Sequence, residues 1–303
     1  MFTTTKPLAG PLAGNTTPQR VVVLMTCFNR KAFTLACLDK LAICSLPPGI
    51  SLSAVLVDDG SSDGTADAVA ERFSWVKVIR AEGNLYWCRG MYRAFADAQS
   101  SEPDFYLWLN DDTMLRPDAL LHLFDTEQQL RAQRNKPVLV VGTTVDPGSG
   151  ALSYGGERRV SRLRRSRFRR LPISDVPQQC DSMNGNIVLI SREVTRLVGN
   201  VDPAFEHAMG DTDYGLRANQ CGAEVWVGAG VHGECGGNAA TGTYMDASLP
   251  LSRRWKQMMS RKGLPWRSWL VLTRRHMGLF WPLYFSWPYV SLVLGKYGRR
   301  GGR

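Results

Sequence analysis

No two of the seven cysteines, Cys27, Cys37, Cys44, Cys88, Cys180, Cys221 and Cys235, form a CxxC pair, and their number is odd. That disfavours a disulfide framework or a structural zinc site and leads us to expect reduced thiols in a cytosolic compartment. There is no P-loop, and no glycine fingerprint lies between the first apolar run and the helix after it. NTP hydrolysis and dinucleotide redox chemistry therefore lose their usual phosphate cradle. The opening residues, MFTTTKPLAGPLAGNTTPQR, lack the apolar h-region of a signal peptide and predict a mobile tail over residues 1–19. Acidic residues are scarce, with 27 Asp and Glu against 37 Lys and Arg and a net charge of +10. Residues 158–170, RRVSRLRRSRFRR, hold eight arginines and no acid, which suits either a solvated face or attraction to a polyanion.

The rest of the composition, 44% hydrophobic and 21% charged over 303 residues, is that of a folded chain with ample core. RVVVLMTCFNR, SLSAVLVDD, WVKVIR and DFYLWLNDD read as strands, and KAFTLACLDKLAI, the stretch after DDGSSDGT, and WCRGMYRAFADAQ as helices between them. Asp63 or Thr65 is the expected cap of the second helix. Alternation of this kind predicts right-handed crossovers and a mostly parallel sheet with its ligand site at the carboxyl ends of the strands. Each of these strands ends in polar residues: Thr26 to Arg30, Asp58 and Asp59, Asn84, and Asn110 to Asp112. After residue 136 we read PVLVVGTTV as a strand, the arginine block as an excursion, and CDSMNGNIVLISREVTRLVG as strand then helix. FEHAMGDTDYGLRANQCG then forms a loop and helix, and AEVWVGAGVHG a strand.

Adjacent carboxylates such as Asp111 and Asp112 repel each other unless a cation or hydrogen-bond donors neutralise them. A Mg²⁺ ion bridging to substrate phosphates is a natural partner, and an Asp-rich turn capping the following helix is the structural alternative. Taken in order, TCFNR, LVDDGSSDGT, GNLYWCRGM, LNDDT and MGDTDYGLRA resemble the inverting nucleotide-sugar glycosyltransferases of family 2, over roughly residues 20–240. The resemblance implies a GT-A fold, an α/β catalytic domain spanning residues 20–245, and Mg²⁺ or Mn²⁺ as cofactor; rhamnosyltransferase-like is the implied subtype. It also implies that Thr26, Phe28, Arg30 and Asp59 hold the nucleoside and that Asn84, Trp87 and Arg89 line the sugar-diphosphate pocket. Asn110 and Asp111 fall at the ribose and donor sugar, and Asp112 on the metal. Asn110 departs from the family's Asp-x-Asp pattern, and Gly210 stands where an acid often precedes the base. Asp211 is the implied catalytic base, with Asp213 as the alternative. His232 is implied as a metal or pyrophosphate ligand, and Asn184, Asp213 and His207 are expected on the acceptor side.

MGLFWPLYFSWPYVSLVLG, residues 277–295, is uncharged and reaches the length of a membrane span. Pro282, Pro288 and its scattered aromatics, with basic residues on both sides, fit a segment lying in the lipid head-group region better. Residues 246–303 are therefore expected to be a membrane-associating region. The partners expected are a nucleoside diphosphate sugar, a glycan or polyprenyl-linked acceptor and a membrane surface, with a homodimer possible and no nucleic acid. The expected setting is the cytosolic face of the inner (plasma) membrane, in surface polysaccharide or lipopolysaccharide assembly. The rivals are a sugar nucleotidyltransferase, an inactive binding domain and a basic nucleic-acid binder. The first needs a glycine-rich basic loop that TCFNRKAF does not supply, and the last needs a nucleic-acid module that the chain does not show.

Overall fold

The computed structural model describes residues 18–161, 164–237 and 241–295. The expected tail over residues 1–19 lies almost wholly outside the described residues, as do residues 296–303. The first half alternates: β1 (Gln19–Cys27), α1 (Lys31–Ala42), β2 (Ile50–Asp58), α2 (Thr65–Arg72), β3 (Val76–Arg80), α3 (Tyr86–Gln99), β4 (Phe105–Leu109). Strand β4 is buried at every position, and β1 from its third residue on, because helices cover both faces of the sheet. The chain continues through β5 (Met114–Leu115), α4 (Ala119–Arg134), β6 (Val138–Val141), β7 (Thr144–Val145), β8 (Leu152–Tyr154), β9 (Gly156–Arg159) and β10 (Phe168–Arg170). Then come β11 (Gln178–Cys180), β12 (Ser182–Met183), β13 (Ile187–Ser191), α5 (Arg192–Val198), α6 (Gly210–Gln220), β14 (Glu224–Val227) and β15 (Gly233–Glu234). Three helices close the described chain: α7 (Leu251–Met259), α8 (Trp266–His276) and α9 (Trp281–Val293).

Eight strands form one sheet in the order β11-β14-β6-β13-β4-β1-β2-β3. Strands β3, β2, β1 and β4 are mutually parallel, and β13 runs antiparallel to both of its neighbours, β4 and β6. This is the mixed α/β sheet expected of a GT-A fold. The two ends of the arginine block pair as the β9–β10 ladder, with Arg158 opposite Arg169 and Glu157 opposite Arg170. Main-chain bonds hold this ladder although like charges face each other across it.

One apolar layer lies between the sheet and α1, α2 and α4; the other lies beneath α3 and α6. Met258, Leu264, Trp269, Leu272 and Leu292 from α7 to α9 and the segments between them join the second layer. The C-terminal region expected over residues 246–303 thus shares a core with the sheet. No helix among the described residues is long and apolar enough to cross a membrane.

Candidate active site

The polar strand ends converge as the parallel topology requires. Cys27 and Asp58 are register partners at the ends of β1 and β2, and β4 delivers Asn110 to Asp112 beside them. Asp63 ties two helices together: its carboxylate accepts from Lys31 N (2.9 Å) at the start of α1 and from Thr65 N (3.1 Å) at the start of α2. Asn29, in a left-handed conformation at φ 50°, receives Ser62 N (2.8 Å) on its side chain and locks the first loop onto the second. Asp59 accepts from Leu85 N (3.0 Å) and Tyr86 N (2.8 Å), one donor on each oxygen. It thereby holds a turn in which Asn84 (φ 69°) and Tyr86 (φ 58°) both adopt the left-handed region, strain of the kind stored at functional sites. Phe28 and Asn84 are exposed on these loops.

Arg30 neutralises the acidic pair. One guanidinium nitrogen lies 2.6 Å from Asp112 Oδ2 and 3.2 Å from Asp111 Oδ1. Asp111 is buried, and burial pushes its carboxyl up to about 7, with Arg30 opposing and Asp112 adding to the rise. The other oxygen of Asp112 faces the Cys235 thiol at 3.6 Å. Asn110, the departure from the family pattern, accepts from Trp87 Nε1 at 2.7 Å.

Trp87 carries the site across to its second wall. Its six-membered ring closes over Gly185, where a Cβ would sit 2.7 Å from the ring carbons and 3.3 Å from Asp211 Cβ. Asp211, in the first turn of α6, accepts from Gly185 N (3.0 Å) and Thr212 N (2.8 Å), and burial raises its carboxyl. Asn184, one residue before Gly185, directs its side-chain amide at Glu157 (3.4 Å). Glu157 is a site residue that the sequence reading missed. It makes no salt bridge among the described residues despite the arginines around it, and burial followed by the charge of Asp211 pushes its carboxyl up to about 7. Two carboxyls therefore flank the turn at residues 184–185. Composition hid this one: a single acid just before an arginine run reads as charge balance.

Several expected positions are corrected. Asp213 is fully buried against Arg217 (2.7 Å), Arg275 (2.7 Å) and His276 (2.8 Å), which hold its carboxyl below the usual range despite burial, so it cannot touch an acceptor. Arg89 bonds to Pro203 O (3.2 Å) and Glu206 (3.3 Å), and the arginine at the acidic pair is Arg30 instead. Thr26 is covered by α3 at Gly90, where even a Cβ would overlap its hydroxyl. His232 is fully buried. Its Nδ1 accepts from Thr143 N (3.1 Å), its ring meets His122 of α4 edge-on, and burial lowers its pKa to about 4. The residue that this strand brings to Asp112 is Cys235, whose thiol burial and Asp112 push up to about 12, leaving it neutral. Around His232, GAGVHG has glycines at dinucleotide-fingerprint spacing. It leads into β15 and not a helix, so it presents no helix N-terminus to a pyrophosphate. His207 is half-buried beside Tyr86, with Nδ1 unpartnered among the described residues; burial, Lys262 and Arg30 lower its pKa to about 4.

A mostly parallel α/β sheet in which β13 and the edge strand β11 are reversed, with acids and an arginine at its parallel strand ends and a buried carboxyl on the facing wall, is the arrangement of a GT-A fold. The family model described as Glycosyl transferase family 2 matches residues 22–195, more than half of the chain, and the chain belongs to that family. It is a glycosyltransferase, working between a nucleotide-sugar donor and an acceptor. A search of curated proteins finds no match to the chain. The matched segment carries the acidic pair and Glu157 and ends before Asp211.

Proposed function

We propose that this glycosyltransferase is inverting and metal-dependent, with Asp211 as its base. The acceptor we propose is a glycan or lipid-linked saccharide, in cell-surface polysaccharide or lipopolysaccharide assembly at the cytosolic face of a membrane. The observation that carries the reading is the placement of Asp211. Two backbone N–H groups fix its carboxylate, Trp87 joins it to Asn110 of the acidic strand end, and burial makes it a stronger base than an exposed aspartate.

Direct displacement at the anomeric carbon needs one group to take the acceptor's proton from the face opposite the leaving diphosphate, and this carboxylate suits that task. Arg30 is placed to meet negative charge on the donor's phosphates, since it already bridges the two acids. The same bridge tests the metal: Asp111 and Asp112 already share one cation, and a pair of oxygen ligands completed by phosphate suits Mg²⁺ or Mn²⁺. Asp112 and Asp111 would hold the ion. Once bound, the ion neutralises charge on the leaving diphosphate.

The test is thermal stabilisation by UDP-, dTDP- and GDP-sugars with and without Mn²⁺, on wild type and Asp112→Ala, followed by turnover of Asp211→Asn with the stabilising donor. Manganese-dependent stabilisation that Asp112→Ala abolishes, with transfer lowered by a factor of about 10²–10⁴ in Asp211→Asn, is the expected result. Donor stabilisation without turnover in wild type would identify a binding domain instead.

A further inference from the structure

Helix α9 is apolar on two sides, and only one of them is covered. On the inner side Tyr289 donates its hydroxyl hydrogen to Leu264 O (3.1 Å), Trp269 Nε1 donates to Phe285 O (3.1 Å), and Leu292 is fully buried. On the outer side Leu283 (67% exposed), Trp287 (54%), Val290 and Leu294 are exposed at spacings i, i+4, i+7 and i+11, a single helical stripe. Just before the helix, Leu279 (94%) and Phe280 (68%) are exposed as well. A contiguous apolar surface of this kind marks an interaction site.

Charge identifies the occupant. Arg159 donates to His276 O (3.4 Å), and the Arg165 guanidinium lies against Gly278, within 2.7 Å of where a Cβ would be. Arg159 of β9 and Arg165, between β9 and β10 in sequence, therefore border the chain where Leu279 and Phe280 project. Among the described residues none of Arg164, Arg165, Arg167 and Arg169 has a salt-bridge partner. No acidic residue follows Asp246 in the sequence. At 13 residues α9 is about 20 Å long, short of the ~30 Å hydrocarbon core, so it can lie in a bilayer surface but not cross it.

We propose that the β9–β10 arginines, Leu279, Phe280 and the outer stripe of α9 form one face that seats on an anionic lipid bilayer, with guanidinium groups on head-group phosphates and the apolar side chains at the acyl boundary. This rests on the membrane reading above and deepens it by naming the face and the lipid charge. Two connections lead from the face to the reaction. Strand β9 carries Glu157, and α8 supplies Arg275 and His276 to Asp213, two residues from Asp211. A lipid-linked acceptor in the same bilayer would approach the wall that holds Asp211.

The experiment is flotation with phosphatidylcholine vesicles with and without phosphatidylglycerol. It uses wild type, Leu279→Ser with Phe280→Ser, Trp287→Asp, and serine replacements of Arg164, Arg165, Arg167 and Arg169. Wild type is expected to bind only the anionic vesicles, the apolar variants to lose binding, and each arginine removed to weaken it about fivefold. Equal binding to both vesicle types, or no binding to either, overturns the proposal. So does a wild-type dimer that Trp287→Asp dissociates, or displacement from the anionic vesicles by single-stranded RNA. Donor-induced thermal stabilisation, measured on the same samples, confirms that the variants fold. If it persists while flotation fails, only the membrane face is lost; if wild type lacks it, the donor-site reading fails whatever the vesicles show.

Discussion

His276 Nε2 lies 2.8 Å from Asp213 Oδ1, and this contact ties the C-terminal helix α8 to the first turn of the helix that carries Asp211. Arg217 and Arg275 complete the cluster around a carboxylate with no exposure of its own. A depressed carboxyl contributes stability that is fully present above its unfolded pKa of about 4 and is lost as pH falls through the lower folded value. Asp213→Asn removes the acid that Arg217 and His276 contact, while Arg275 keeps Asp202. It is expected to cost about 3 kcal/mol at neutral pH, and less once the medium is acidic enough to protonate the wild-type carboxyl. Urea melts of both proteins at neutral and strongly acidic pH measure the difference and its closing.

Glu157 sets a second expectation. Its charge and that of Asp211 oppose each other, so the pair gives up its protons in two steps, both displaced upward. Replacing Glu157 by Gln removes the neighbouring charge and makes Asp211 easier to ionise. The acidic limb of the kcat/KM profile of Glu157→Gln is expected to move to lower pH, with donor affinity unchanged. An unmoved limb would separate the two carboxyls functionally.

Gly185 allows no side chain. A methyl group there meets the Trp87 ring at 2.7 Å and Asp211 Cβ at 3.3 Å. Gly185→Ala is expected to displace Asp211 or the indole by a few tenths of an ångström, lowering transfer about 10²-fold while costing only about 1–3 kcal/mol of stability. Turnover and a melting curve on the same preparation test that ratio.

Removing Arg30 leaves Asp111 and Asp112 side by side with no other cation among the described residues at hydrogen-bonding distance. Arg30→Ala is expected to weaken the donor by about 10- to 100-fold. Millimolar Mn²⁺ alone should raise its melting temperature more than that of wild type, because the ion then replaces the missing guanidinium. Equal shifts in the two proteins would show that Arg30 and the ion do not share a place.

The first four strands and three helices were legible because strands buried on both faces are unbroken apolar runs, as VVVLM and FYLWL show. Strand direction is not written in such runs, so the reversal of β13 became visible only in the fold. The β9–β10 ladder was hidden for a different reason: its pairing is made by main-chain groups, while its side chains read as a solvated loop. At the site, the fold brings Arg30 onto Asp111 and Asp112, residues that motif order had placed together. His232 was misread because a sequence shows a histidine after a strand and not which face of the sheet receives its ring. Arg89 was misread in the same way, its position on α3 being clear and its direction toward Pro203 and Glu206 not.

The mutually parallel ladder β3–β2–β1–β4 is complete by Leu109, whereas β6, β13, α6 and β14 all come later in the chain. During synthesis from the N-terminus, Arg30 and the two acids are translated with a sheet that already has its four strands and covering helices, and Asp211 emerges about a hundred residues afterwards. The nascent protein is thus able to build its donor-side acid cluster before Asp211, the proposed base, has been made, and α8, which contacts Asp213, follows later still in the chain.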